Sequence, residues 1–158
     1  MFPTIPITVF IQKWRDAIAG SAAISSFCMQ KYHKPLSLYV GIDGKKPPND
    51  KNCPLVIVFP GGKVEGGGEE VCRYTGSIGW SIIQPQVTQR DGITENTGLF
   101  EADELGQLIL TTIAEINPSY PVTHVEYSFE SNDFFPQFPG RMDVTIQVPV
   151  RMGTQITY

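Results

Sequence analysis

The chain has 158 residues, of which 41% are hydrophobic and 18% are charged, a balance that predicts one folded domain and excludes a largely disordered chain. Its formal net charge is −4, whereas proteins that bind nucleic acid by neutralising phosphates need clustered Lys and Arg. The composition therefore argues against a sequence-specific nucleic-acid partner.

Two short helices are predicted near the N-terminus. Phe10, Trp14 and Ile18 recur at helical spacing and form one apolar stripe, and Gly20 is placed to end that helix. Ser21 is a favourable cap for a second, shorter helix whose apolar residues continue the stripe. We expect both helices to pack on the same face of a sheet.

Three strands are predicted in the middle of the chain. Residues 36–40 alternate and indicate a short strand, whereas residues 43–53 are rich in turn residues and indicate a loop. Residues 55–59 form a continuous apolar run, which predicts a central strand buried on both faces and ended by residues 60–62. A longer strand follows over residues 72–82.

The connections on either side of this long strand are predicted to be irregular. The contiguous glycines of residues 66–68 indicate a flexible hairpin loop, and the polar, turn-rich residues 84–98 indicate a second long loop. Gly62 and Lys63 invite comparison with a phosphate-binding loop. However, the glycine required five residues earlier and the Ser or Thr required after the lysine are both missing.

The last third of the chain has the clearest pattern. Leu105, Ile109 and Ile113 lie on one stripe of a helix that begins at about residue 100, with acidic residues in its first turn. Residues 124–130 and 141–148 then alternate between apolar and polar side chains. Each of these strands therefore has one apolar face, as expected for an antiparallel sheet that helices cover on one side.

Together these elements predict an α+β fold. We expect a single domain over residues 1–158, in which a mixed, mainly antiparallel sheet has two helices packed on one face. The sequence contains neither an internal repeat nor a recognisable domain linker.

The cysteines and the N-terminus bear on the cellular setting. Cys28, Cys53 and Cys72 have wide, irregular spacing that fits neither a disulfide framework nor a zinc site, so reduced thiols in a cytoplasmic setting are expected. The N-terminus lacks a basic region followed by an apolar run, and no long apolar stretch occurs elsewhere. We therefore predict no signal peptide and no membrane partner.

One group of polar residues invites a catalytic interpretation. His124, Glu126 and Asp143 are predicted on the outer faces of the last two strands, where they can meet as an acid–base or metal site. Polar pairing across a solvent-facing sheet is the competing and stronger interpretation. Because no nucleophile motif is present either, the sequence predicts no enzyme, no catalytic or metal-binding residues and no cofactor.

The connection between the last two strands is rich in phenylalanine. The three phenylalanines of residues 131–140 either cover the core as a lid or form an apolar patch for another chain. The two polar loops, at residues 43–53 and 84–98, supply further candidate contacts. The candidate interface residues are the aromatic and basic side chains of these connections: Phe134, Phe135, Phe138, Lys45, Lys46 and Arg90.

The layout of the chain resembles the tail terminator, or tail completion, proteins of long-tailed bacteriophages and prophages, over about residues 5–150. Two segments of the N-terminal half carry the resemblance: the helix that ends in Ala-Ile-Ala-Gly, and the loop with Pro47 and Pro48 before the strand PLVIV. The other segments are the long strand with Trp80, the helix ELGQLILTTIAEI and the closing strand MDVTIQVPV.

The resemblance implies an α+β subunit that assembles as a ring, typically a hexamer, to cap the tail tube and present the tail to the head. The implied partners are copies of the chain itself, the tail tube protein and a head–tail connector or neck protein. The implied location is the virion tail, after assembly in the host cytoplasm, and the family brings no catalytic residues. A connector subunit is a variant of this hypothesis. The alternative is a small enzyme or ligand-binding domain that uses His124, Glu126 and Asp143.

Overall fold

The computed structural model describes residues 5–64, 71–129 and 134–149. Within them the chain forms three α-helices that pack on one face of a five-stranded, mainly antiparallel sheet. The α+β class predicted from the sequence is therefore confirmed. The division at Gly20 and Ser21 gives the two N-terminal helices that the residue patterns predict, so three helices cover the sheet, one more than the two of the predicted architecture.

The elements follow one another as α1 (Ile7–Ala19), α2 (Ala22–Tyr32), β1 (Ser37–Val40), β2 (Leu55–Val64), β3 (Val71–Ile83), β4 (Val87–Arg90), β5 (Ile93–Asn96), α3 (Thr97–Ala114), β6 (Val122–Phe129) and β7 (Gln137–Pro149). A 3₁₀ turn, Asp50–Asn52, lies between β1 and β2. The main sheet has the order β1-β2-β3-β7-β6, and β4 and β5 form a second, two-stranded sheet. Because β1 is parallel to β2 and the other neighbours are antiparallel, the sheet is mixed, as expected.

The first two helices form as their residue patterns predict. Phe10, Trp14 and Ile18 lie on one side of α1 and are buried, and the helix ends at Gly20. The Ser21 hydroxyl accepts a hydrogen bond from a backbone N–H in the first turn of α2 at 3.2 Å, which satisfies one of the donors left open at a helix start. The predicted cap is therefore confirmed.

The core lies between the helices and the sheet, and Trp80 is one of the two tryptophans buried in it. This residue is 1% exposed, and its indole Nε1 donates a hydrogen bond to the Ala102 carbonyl of α3 at 2.8 Å. On the neighbouring strand Met142, Val144 and Val148 point to the same layer and are fully buried. The alternation predicted for this strand is confirmed, and it fixes the register of the sheet because a slip by one residue would expose these side chains.

Strand β2 runs past the residues that were predicted to end it. Its pairing with β3 shifts register between Pro60 and Gly62, which marks a bulge, and a bulge is one of the few places where a sheet tolerates proline. The prediction of burial on both faces is also wrong for Ile57 and Phe59. These residues are half-buried because no described element covers the outer side of the sheet at β2. Residues 66–68, predicted as a flexible loop, lie outside the described residues.

Part of the second predicted loop, residues 84–98, is a β-hairpin. Strands β4 and β5 are joined by Asp91 and Gly92, whose φ angles of 53° and 78° both lie in the left-handed region. Two such residues are characteristic of the type I′ turn, which suits the twist of a two-stranded hairpin and favours Asp-Gly. The loop prediction is therefore wrong for residues 87–96. Asp-Gly between β-forming residues is the sequence signal for this hairpin.

Helix α3 begins at Thr97, earlier than predicted. Gly98 lies so close to Phe138 that an added Cβ would stand 2.2 Å from its ring. This close approach explains a glycine in the first turn, although glycine disfavours helices. Glu101 and Asp103 accordingly lie beyond the first turn, so the predicted interaction of acidic residues with the helix dipole there is wrong.

Cys28 should make stability depend on pH in the alkaline range. All three cysteines are buried thiols, and burial raises the pKa of Cys28 from its ordinary value of 9.0 to about 11. Between these values the unfolded chain loses a proton that the folded chain keeps. The free energy of unfolding should therefore fall as the pH rises from about 9 to 11. We expect Cys28→Ala to make this fall shallower in urea denaturation, and equal slopes in the two proteins would contradict the assignment.

Candidate functional site

The outer face of the main sheet, turned away from the helices, carries a polar cluster. Ser77 is 2% exposed and donates a hydrogen bond to Asp143 Oδ1 at 2.5 Å. The guanidinium of Arg141 lies 3.3 Å from the same carboxylate oxygen and 5.7 Å from the ring centre of Phe59. A hydroxyl and a guanidinium therefore hold the Asp143 carboxylate in place.

His124 and Glu126 lie on β6 beside this cluster. Their Nε2 and Oε1 atoms are 3.2 Å apart, and the two side chains are 64% and 72% exposed. Glu126 is opposite Asp143 in the register of β6 and β7, but the hydrogen bonds of Asp143 go to Ser77 and Arg141. The structure thus brings two of the three predicted residues into contact and gives the third other partners. A solvated pair of this kind matches the surface interpretation and contributes little to stability.

Replacing Asp143 should affect folding, whereas replacing Glu126 should not. We expect Asp143→Ala to lower the free energy of unfolding by about 1–3 kcal/mol, because the buried Ser77 hydroxyl loses its acceptor. For the control Glu126→Ala we expect a change within about 0.5 kcal/mol, because that side chain is mostly solvated. Urea denaturation followed by tryptophan fluorescence measures both, and equal losses would contradict this division.

The three candidate phenylalanines separate into one core residue and two surface residues. Phe138 is the second residue of β7 and is 2% exposed beneath Gly98, so its prediction as an interface residue is wrong and the alternative of a lid over the core applies to it. Phe134 and Phe135 are each 50% exposed, and the ring of Phe135 stands edge-on to Phe138 with centres 6.0 Å apart. Phe138 therefore covers the core, while the other two form an apolar surface. Residues 131–133 lie outside the described residues.

A shallow cavity of 360 Å³ opens beside Phe134 on the outer face. Its lining is formed by Ser128, Phe134, Gln137, Pro139, Gly140 and Arg141. Apolar surface from Phe134 and Pro139 thus adjoins the half-exposed guanidinium of Arg141. This combination suits an apolar side chain that is followed by an acidic group on a partner.

The helix layer leaves the β6 edge of the main sheet partly uncovered. Tyr127 and Phe129 point to the helix side of β6 and stack with ring centres 6.2 Å apart, yet they are 37% and 41% exposed. The ring of Trp80 packs edge-on against both of these rings. Partial burial, together with the charge of Asp103, raises the pKa of Tyr127. The apolar face predicted for this strand is therefore present but only half covered. We call these two residues the β6 aromatic surface.

The β4–β5 hairpin is the most exposed element of regular structure. All residues of β4 and all but the last of β5 are exposed, including the apolar Val87 and Ile93. Two-stranded hairpins are marginally stable in water unless they gain a third strand or a packing surface. This hairpin therefore offers both an apolar surface and strand edges to a partner.

The basic candidate residues lie on two different connections. Lys45 and Lys46 belong to the exposed segment between β1 and β2, where their backbone N–H groups donate hydrogen bonds to Asp43 at 2.9 and 3.1 Å. Arg90 ends β4 beside the tip of the hairpin. The first pair thus belongs to a turn that Asp43 holds, within the segment that the sequence predicts as a loop.

A buried carboxylate is the polar feature that the sequence analysis missed. Glu101 is 4% exposed and accepts hydrogen bonds from Gln84 Nε2 at 2.9 and 3.2 Å. Burial raises the pKa of the neighbouring Tyr32 hydroxyl, and the charge of Glu101 raises it further. Tyr32 and Gln84 also line a shallow cleft of 370 Å³. No local pattern signals this burial, because the contacts come from α2 and from the segment after β3.

Comparisons with known proteins give no family for this chain: it matches no protein-family model, and no curated protein matches it in sequence. Among the residues that the structure describes, no helix has both the length and the apolar character needed to cross a membrane.

Proposed function

We propose that the chain is a structural subunit of a bacteriophage or prophage tail, which forms a ring at the end of the tail tube and joins the tail to the head connector. The observation that carries the proposal is the presence of two different uncovered surfaces. One is the β4–β5 hairpin, and the other is the β6 aromatic surface. A closed ring of identical subunits needs two different patches on each copy, because its contacts are heterologous.

The exposed aromatic residues favour a binding role over simple solvent exposure. Phe134 and Phe135 flank one end of β7, and Tyr127 and Phe129 lie on the adjacent strand. Aromatic side chains dominate the energetics of protein interfaces, and such groups rarely cluster on the surface of a monomer without a function. The order of elements along the chain supports the same role through its resemblance to tail terminator proteins.

The proposed partners are copies of the chain, the tail tube protein and a connector or neck protein. The corresponding location is the virion tail, after assembly in the host cytoplasm. This role uses complementary surfaces and needs no catalytic step and no cofactor. A ring that docks on the head connector itself uses the same two surfaces and is the nearest variant of the proposal.

Mass measurement in solution, over a wide range of protein concentrations, tests the proposal. We expect a monomer that converts to one ring-sized species at high concentration or on tail tubes assembled from the tube protein encoded nearest to it. Electron microscopy should then show the ring at one end of each tube. A chain that stays monomeric at the highest concentration and does not bind tubes would overturn the proposal. An unrelated acidic protein of similar size is the control for non-specific tube binding.

A further inference from the structure

Strand β6 presents a long open edge. It ends the main sheet on one side and, among the described strands, pairs only with β7. Natural proteins protect such edges with lysine, proline, bulges or very short strands. The eight residues of β6 contain neither lysine nor proline, and the apolar Tyr127 and Phe129 beside the edge are more than a third exposed. The register shift in its pairing lies only at its start, between Val122 and His124. Within the described residues, most of this edge is therefore open to another strand.

The β4–β5 hairpin also has a strand edge that lacks a partner strand in the described part of the chain. Strand β4 pairs with β5 on one edge, and its other edge has no partner strand in the described part of the chain. The hairpin is tied to the domain at its base, where the Thr97 N–H donates to the Gln86 carbonyl at 3.2 Å. It needs a further strand to become a stable sheet, and β6 needs a further strand to cover its edge.

We propose that β4 of one copy pairs with the β6 edge of the next copy, so that each hairpin extends the sheet of its neighbour. This inference rests on the proposed function, because it names the contact through which the ring forms. The contact is heterologous: each copy contributes a hairpin on one side and an edge on the other. Main-chain hydrogen bonds supply the affinity in this mode of strand addition, and the side chains on either face supply the specificity.

The side chains of the two strands are complementary in charge and in polarity. Glu126 is on the outer face of β6, and Tyr127, the next residue, is on the helix side. Alternation likewise places Arg90 and Val87 on opposite faces of β4. When Arg90 lies beside Glu126, Val87 therefore lies on the side of Tyr127. One orientation of the hairpin thus satisfies both the ion pair and the apolar contact.

Charge reversal tests the proposed pair. Arg90→Glu and Glu126→Arg should each raise the concentration for half-assembly by at least about tenfold, because each places like charges together at every contact of the ring. The double variant should restore assembly. Lys13→Glu, which makes the same charge change on an exposed position of α1, is the matched control and should not alter assembly. Failure of the double variant to recover, with all proteins folded by circular dichroism, would overturn the pairing.

Cross-linking of mixed proteins separates this inference from the proposed function. Arg90→Cys protein and Glu126→Cys protein are mixed and treated with a short bis-maleimide, against a background of buried native thiols. We expect a covalent product that contains one chain of each kind, and none with Lys13→Cys in place of Arg90→Cys. The inference would be overturned if rings or tube caps formed without this product. It would also be overturned if the cross-linked product contained only the tube protein as partner. Either result would leave the proposed function standing. A monomer that neither cross-links nor binds tubes would overturn both.

Discussion

Replacing Trp80 with alanine is expected to lower the free energy of unfolding by about 3–5 kcal/mol, the cost typical of removing a large aromatic side chain from a packed core. Trp80 is 1% exposed and is enclosed by α3, by β7 and by two aromatic rings of β6. Its removal also leaves the Ala102 carbonyl without the indole N–H that donates to it at 2.8 Å. Gly106 and Gly140 lie against the indole, where an added Cβ would stand 2.5 Å from the ring, and neither glycine has a side chain that could fill the space.

Domains of this size are stable by about 5–15 kcal/mol, so a loss of this magnitude brings the variant close to unfolding at ordinary temperature. Urea denaturation followed by far-ultraviolet circular dichroism measures the loss without relying on the removed fluorophore. Phe100→Ala is the matched control, because Phe100 is 61% exposed and its truncation should change stability by less than about 0.5 kcal/mol. A Trp80→Ala protein as stable as this control would contradict the position of Trp80 at the centre of the core.

The parts of the fold that the sequence predicted are those in which burial follows a regular period. Met142, Val144 and Val148 alternate because one face of β7 lies against the helices, and Leu105 and Ile109 recur at helical spacing because α3 has one buried stripe. In these segments the local pattern and the tertiary contacts agree. The strand and the helix could therefore be assigned from residue types alone.

The parts that the sequence did not predict depend on contacts between distant segments. Phe138 is in a segment rich in proline and glycine, and its burial depends on Gly98 of α3 leaving room for the ring. Glu101 is buried because Gln84, outside its own helix, provides hydrogen-bond donors. For Tyr127 the alternation is correct, but no pattern tells how far the helix layer extends over the sheet. The β4–β5 hairpin differs, because its Asp91-Gly92 turn is a local signal that the sequence analysis passed over.

The candidate site follows the same division. The sequence indicated the phenylalanine-rich connection either as a lid over the core or as a surface for other chains. Phe138 is buried, as the first alternative has it, and Phe134 and Phe135 are exposed. The sequence could not indicate the open edge of β6, because an edge is a property of strand order and strand order depends on long-range pairing. The same limit applies to Asp143, whose partners Ser77 and Arg141 become neighbours only when β3 and β7 pair.

The second large effect is expected on truncating the exposed phenylalanines of the connection between β6 and β7. This change should weaken association and leave folding nearly unchanged. We expect the double variant Phe134→Ala, Phe135→Ala to weaken self-association about tenfold or more, because truncating exposed aromatic anchors removes contacts made only with a partner. Its effect on folding should be small, at most about 1 kcal/mol, from the lost edge-on contact between Phe135 and Phe138. Phe138→Ala should instead cost about 3–5 kcal/mol of folding free energy, because that ring is 2% exposed.

Two measurements on the same proteins distinguish these effects. Thermal unfolding at a concentration where the chain is monomeric reports folding, and sedimentation velocity across a concentration series reports assembly. The double variant should melt close to the parent and assemble poorly, whereas Phe138→Ala should melt well below it. A double variant that melts as low as Phe138→Ala would show that Phe134 and Phe135 support the core. One that melts and assembles like the parent would exclude them from the contact and leave the β6 edge and the hairpin as the surfaces that build the ring.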